Sequence, residues 1–194
     1  MRRSANVAAV PDIEPEYLVP WHPGEWTVED FFELPEDSGS RVELVDGTLL
    51  VSPAPAARHQ RILRRLQLGL HGAIGSDAEL LPGVNVRMGD RRVLIPDLVI
   101  VTCPDENVVY FSATDVLLAV EIESPSTKVQ DRILKRELYT EAKIPYYLLV
   151  NAAPRPVEAT LYELTEGGYR EITRSTDGKL SLTRPVAATV DLGG

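Results

Sequence analysis

PDLVIV at residues 96–101 and LLAVEIE at residues 117–123 decide how this chain is read. Alternate side chains of a strand point to opposite faces. Asp97 therefore shares a face with Val99 and Val101, and Glu121 shares one with Ala119 and Glu123. Leu118, Val120 and Ile122 point the other way. Both runs are apolar on both faces, which is the pattern of buried strands. Each also carries a carboxylate that an ordinary core strand would not hold. A buried carboxylate is costly unless it is hydrogen-bonded, shifts its pKa or meets a cation. Two carboxylates on adjacent strands would share a cation, and a hard divalent ion such as Mg²⁺ needs only one or two protein carboxylates. A buried Asp bonded to backbone N–H groups, or a Glu paired with Arg, is the competing explanation of each residue taken singly.

Downstream, Pro125 keeps Ser124 out of helical geometry. Thr127 and Gln130 fit a capping box, which predicts a helix to about Lys143 with Val129, Ile133 and Leu138 on its buried side. Lys135 lies four residues after Asp131, on the same helix face. Tyr146–Val150 reads as another buried strand. Upstream, Pro96 lacks an N–H and belongs at a strand edge or bulge, where it could splay the chain and expose Asp97.

Toward the N-terminus, residues 1–20 are small, polar and punctuated by Pro, as in a flexible tail. Thr27, with Asp30 three residues on, caps a short helix that Pro35 ends. Val42–Val45, Asp46-Gly47 and Thr48–Val51 make a hairpin, because Asp-Gly between apolar runs is a strong turn signal. A helix comes next, from about Ala56 to Ile74, with Ile62, Leu63, Leu66, Leu70 and Ile74 as its core stripe. It carries Arg58, Arg61, Arg64 and Arg65 and no acid, a row that reads either as a solvated face or as contact with DNA phosphates. Glu79–Leu81, Val84–Met88 and Val93–Val101 read as successive strands, and 102–115 as a polar loop that could bring Tyr110 and Phe111 near the site. Past Ala152, residues 157–164 and 169–173 alternate around Gly167-Gly168 and Asp177-Gly178 turns a further hairpin, a β appendage that covers the sheet edge or meets a partner subunit.

A chain of 194 residues suits one domain, here 21–194 with a core over 26–150 and the appendage over 152–194. The single Cys103 leaves no internal disulfide and fits a reducing cytoplasm. No apolar run approaches the ~18 residues of a membrane span, and no apolar signal region comes after Arg2-Arg3. The net charge is −9. Residues 1–50 hold 11 Asp/Glu and 3 Arg, a balance of −8, so the remainder sums to about −1. That leaves room for local positive charge, which is what phosphate binding needs.

In order along the chain, VELVDGTLL (42–50), RHQRILRRL (58–66), PDLVIV (96–101), AVEIESPST (119–127), DRILKRELY (131–139) and IPYYLLV (144–150) resemble the Uma2 family, also called DUF820, of the PD-(D/E)XK nuclease-like superfamily. The resemblance implies an α/β restriction-endonuclease-like core, a mixed sheet flanked by helices, with Mg²⁺ or Mn²⁺ at two carboxylates. Asp97 matches the Asp of the PD motif and Glu121 the Glu of the E-x-K motif. Glu123 stands where that motif has Lys, and Lys135 on the next helix is the matching candidate for the lysine. Glu43 matches a position that is often Glu in the family and would supply a further ligand or orient a metal-bound water, with an exposed strand Glu as the competing explanation. His59 and Gln60 match the pattern at the start of the arginine-bearing helix and would stand behind the metal ligands. The implied activity is metal-dependent hydrolysis of DNA, and cutting both strands from one site per chain implies a homodimer. A catalytically degenerate module that binds nucleic acid or protein, or a metal-binding structural domain, remains the alternative, since Glu123 replaces the motif lysine.

Overall fold

Asp46 and Gly47 turn the chain between β1 (Arg41–Val45) and β2 (Thr48–Ser52), with φ of 47° and 83°. A two-residue hairpin of type I′ needs positive φ at both positions, which Asp tolerates and Gly adopts freely. The computed structural model describes residues 20–35, 40–102, 107–123 and 130–193. Cys103, Ser124–Thr127, Val129 and the 1–19 tail lie outside these residues.

The β1–β2 hairpin belongs to a five-stranded sheet of order β2-β1-β5-β4-β7, completed by β4 (Val86–Arg87), β5 (Arg92–Leu94) and β7 (Phe111–Ser112). A six-stranded sheet of order β11-β10-β9-β8-β6-β3 contains β3 (Glu79–Pro82), β6 (Leu98–Val101), β8 (Val116–Glu123), β9 (Tyr146–Asn151), β10 (Glu158–Thr165) and β11 (Gly168–Arg174). The β8–β9 pair is parallel and its other pairs are antiparallel, so the sheet is mixed, as expected. The hairpin after Ala152 covers the edge of this sheet by pairing onto β9 as two further strands. The last hairpin, β12 (Lys179–Leu182) and β13 (Ala188–Asp191), forms its own two-stranded sheet.

Helix α1 (Val28–Phe32) starts at the capping box of Thr27 and Asp30 and buries Val28 and Phe31 against Leu44 and Val93. Helix α2 (Ala57–His71) is three residues shorter at its end than its pattern suggests and buries Ile62, Leu66 and Leu70. These join Leu98, Ile100, Leu118, Val120 and Ile122 from one face of the large sheet. Burial of each such side chain stabilises by about 1.5–3 kcal/mol. The other face presents Val99, Val101 and Ala119 to a second core with Tyr139 and Tyr147. The face assignments read from the two apolar runs therefore hold.

Three local expectations are revised. The 93–101 run is not one strand, because β5 and β6 lie in different sheets. The helix after the 124–129 segment opens as a π-helical turn, Gln130–Lys135, before α3 (Arg136–Glu141). A π turn carries an extra residue and rotates the helix beyond it, so Ile133 is 57% exposed while Leu138 and Tyr139 are buried. Finally, Tyr110 stacks on Phe32 at 5.3 Å and lies under Arg87, away from the predicted carboxylates.

Candidate functional site

The chain leaves the five-stranded sheet at Leu94 and enters the six-stranded sheet at Leu98, so Ile95, Pro96 and Asp97 form a crossing between them. A cavity of about 600 Å³ opens at this crossing. Glu43, Asp97, Glu121 and Glu123 all line it, and each is at most 5% exposed. Pro96 thus does not expose Asp97 to bulk solvent; it sits where the chain changes sheets.

The β6–β8 register pairs Leu98 with Val120, which sets Asp97 beside Glu121, and the Asp97 N–H donates to the Val120 carbonyl at 3.0 Å. Asp97 Oδ2 accepts from the Ile122 N–H at 2.7 Å and from His59 Nε2 at 3.1 Å, while Oδ1 accepts from Arg41 Nη1 at 2.7 Å. Burial alone would raise its pKa. The His59 hydrogen bond, the Arg41 charge and the Ile122 N–H outweigh that and hold it down to about 2. Arg41 in turn binds its proton more tightly than usual, because the charges of Glu121, Asp97 and Glu43 more than offset its own desolvation. His59 Nδ1 is buried with no hydrogen-bond partner among the described residues.

Glu121 is pushed the other way, up to about 7, chiefly by complete burial and with Lys135 pulling against the rise. Its Oε1 accepts from Lys135 Nζ at 3.0 Å and from the Tyr139 hydroxyl. Burial raises the Tyr139 hydroxyl well above its ordinary pKa, so it acts as a donor. Lys135 and Tyr139 stand four residues apart, the spacing that puts two helical side chains on one face. Lys135 Nζ also donates to Glu43 Oε1 at 3.1 Å, which takes a second bond from the Ile95 N–H at 2.8 Å. Lys135 therefore ties together the carboxylates of β1 and β8.

The structure brings Asp97, Glu121, Lys135, Glu43, Glu123 and His59 to one cavity. Gln60 is exposed and does not line it. Arg58 reaches the cavity, but its Nε donates to the Ala152 carbonyl at 2.7 Å and its Nη2 to the Pro154 carbonyl at 2.8 Å. Arg61, Arg64 and Arg65 are exposed on α2, with Arg65 3.8 Å from Asp191. Two residues escaped sequence reasoning. Arg41 lies two residues before Glu43, on the same strand face, which was its available signal. Tyr139 could have been found from its spacing to Lys135.

Among the described residues no three His, Cys, Asp or Glu side chains form a metal-ligand cluster. The donors of the cavity nonetheless suit a hard cation. Its carboxylates offer oxygen ligands, and Mg²⁺ is commonly held by one or two carboxylates plus water. Among the described residues, every hydrogen bond received by Glu43 and Glu121 falls on Oε1, leaving the Oε2 atoms as donors to an ion. Asp97 stays ionised across the neutral range.

The family described as "Uma2: Putative restriction endonuclease" matches residues 28–192. This chain belongs to the Uma2 family. A search of curated proteins returns no match. Among solved structures, one described as "a putative nuclease belonging to DUF820" from Anabaena variabilis is similar, at 18% identity and a TM-score of 0.60. The similarity covers 76% of this chain and 84% of that one, and it supports the nuclease-like fold. The Uma2 match spans both sheets and every cavity residue named above.

Proposed function

We propose that this Uma2 chain is a Mg²⁺- or Mn²⁺-dependent endonuclease that hydrolyses phosphodiester bonds in DNA. The observation that carries the reading is Lys135, its ammonium held 3.1 Å and 3.0 Å from Glu43 and Glu121 in the cavity lined by Asp97. It supplies the cation that Glu123 cannot supply from the motif position.

Asp97 and Glu121 would hold the divalent ion, which would lower the pKa of a bound water and stabilise charge on the scissile phosphate. Arg41, His59 and the Ile122 N–H keep Asp97 ionised and fix its orientation. Tyr139 fixes Glu121 from behind. Glu43 orients the attacking water, and Glu123 is a further acceptor beside it. In the reaction the water oxygen bonds to phosphorus, one P–O ester bond breaks, the water gives up a proton and the leaving oxygen gains one. Lys135 offsets the extra negative charge on the phosphoryl oxygens, a contribution that amounts to about 10²–10³ in rate when one such donor is removed. Cutting both strands of a duplex from one site per chain calls for two chains, so a homodimer belongs to the proposal.

The reading is tested by titrating Mn²⁺ into the wild type, Lys135→Met and Glu121→Gln, and assaying each for DNA cleavage. Lys135→Met is expected to bind Mn²⁺ and to cleave about 100-fold or more slowly, whereas Glu121→Gln loses both. Undiminished cleavage by Lys135→Met contradicts the reading. The second reading, a non-cleaving module, draws on Glu123 in the motif-lysine position and predicts DNA retention insensitive to Asp97→Ala.

A further inference from the structure

The proposed site sets a polyanion against buried carboxylates. Glu43, Asp97, Glu121 and Glu123 form the acidic floor of the cavity, and inside it Arg41 and Lys135 are already committed to that floor. A strand of nucleic acid approaching such a floor needs positive charge at the rim.

The rim has two walls. One is Ser52–Ala56, uncharged and rich in Pro and Ala. The other is the loop after β9, where Ala152, Ala153 and Arg155 line the cavity. Arg155 is exposed and engages no carboxylate among the described residues. Its loop is fastened to α2 by the two hydrogen bonds from Arg58 to the Ala152 and Pro154 carbonyls. With two donors spent on backbone oxygen, Arg58 is poorly placed to grip a phosphate itself. Arg61 and Arg64 are exposed but belong to no wall of the cavity. A guanidinium offers a planar fork of N–H donors that matches two phosphate oxygens.

We infer that Arg155 grips a backbone phosphate flanking the scissile one, and that Arg58 is a positioning residue that holds the Arg155 loop against the cavity. The inference rests on the nuclease reading for the position of the scissile phosphate, and the grip itself is tested separately from cleavage.

The test compares wild type with Arg155→Ala, Arg155→Lys, Arg58→Ala, the double variant lacking both, and an Arg61→Ala/Arg64→Ala pair. Binding of a fluorescein-labelled DNA is monitored by anisotropy in a chelator over a range of KCl. Steady-state cleavage is monitored in Mn²⁺. For Arg155→Ala the slope of log K against log salt is expected to shallow by about one, the loss of a single phosphate contact. Its loss in cleavage is expected to fall on KM, about 5–10-fold, as for an interaction made equally with substrate and transition state. Arg155→Lys keeps the salt slope. Removing Arg58 from Arg155→Ala is expected to add little, because the two act through one contact. Arg155→Ala sits on an exposed loop, and an unchanged melting temperature confirms that it folds.

If Arg155→Ala matches wild type in slope and KM while wild type cleaves, the inference is overturned and the nuclease reading stands. A slope change in the Arg61/Arg64 pair with none in Arg155→Ala also overturns it, in favour of the α2 face. Wild type that binds with an Arg155-dependent slope but does not cleave supports the grip and removes the nuclease reading. Wild type that neither binds nor cleaves overturns both.

Discussion

Asp97 and Glu121 stand side by side on neighbouring strands and are driven in opposite directions. Asp97 is held down to about 2 by His59, Arg41 and the Ile122 N–H against its burial. Its lowered pKa adds stability above the unfolded value of about 4, and that stability is lost as pH falls toward about 2. With metal chelated, the shift is worth on the order of 2 kcal/mol near neutral pH. The stability gap between wild type and Asp97→Asn, measured in urea, should therefore narrow progressively below about pH 4. Glu121 has the opposite sign. Burial raises it to about 7, so its penalty grows as pH rises from its unfolded value of about 4.3 and is complete above about 7. Chelated Glu121→Gln should accordingly be more stable than wild type at pH 8, by at least about 1 kcal/mol or roughly 2–4 °C in melting temperature, and the gain should vanish near about pH 4. A site that is less stable with its native residue than without it is expected where function sets the residue. At this scale the sequence showed Asp97, Glu121 and Glu123 plainly, because charge inside an apolar run is conspicuous, whereas Lys135, in the charged segment 131–139, was marked only by the family resemblance. Arg41 was harder to see, since an Arg at the start of a hairpin is unremarkable until Asp97 is folded against it.

The π-helical turn Gln130–Lys135 and the crossing at Ile95–Asp97 are the two elements that build the site, and neither was legible. An apolar run such as 93–101 alternates the same way whether it stays in one sheet or passes between two. The π turn departs from the 3.6-residue spacing by which helices are read, which is why Ile133 was expected inside and is outside. The Asp46-Gly47 hairpin, the α1 capping box and the α2 stripe were legible because each depends on local chemistry alone. The docking of the last hairpin was not. Gly69 on α2 lies against β13, and a Cβ there would come within 2.8 Å of Val190 Cγ2. Ala is worth about 1 kcal/mol more than Gly in a helix interior. Gly69→Ala should nonetheless lower stability, by about 1–3 kcal/mol as overpacking does. A double-mutant cycle with Val190→Ala, read by urea unfolding, should show coupling of at least about 0.5 kcal/mol.

For the molecule as a whole, the net acidity is concentrated in residues 1–50 and in the cavity. The floor is acidic where the proposed ion binds, and the arginines lie on α2 and the rim. The uneven distribution predicts that DNA binding weakens steeply with salt despite the net charge of −9. It also predicts that chelation removes cleavage without unfolding the chain, since Arg41 and Lys135 already offset part of the carboxylate charge. Circular dichroism before and after chelation checks the second point. No helix among the described residues is long and apolar enough to cross a membrane. The most direct test of the central claim is cleavage of supercoiled plasmid in Mn²⁺ and Mg²⁺ by wild type and by Asp97→Ala, purified identically and shown to be folded. Metal-dependent cleavage by the wild type that is absent in Asp97→Ala is the predicted result. Equal cleavage by both, or none by a wild type that also binds no Mn²⁺, would contradict it.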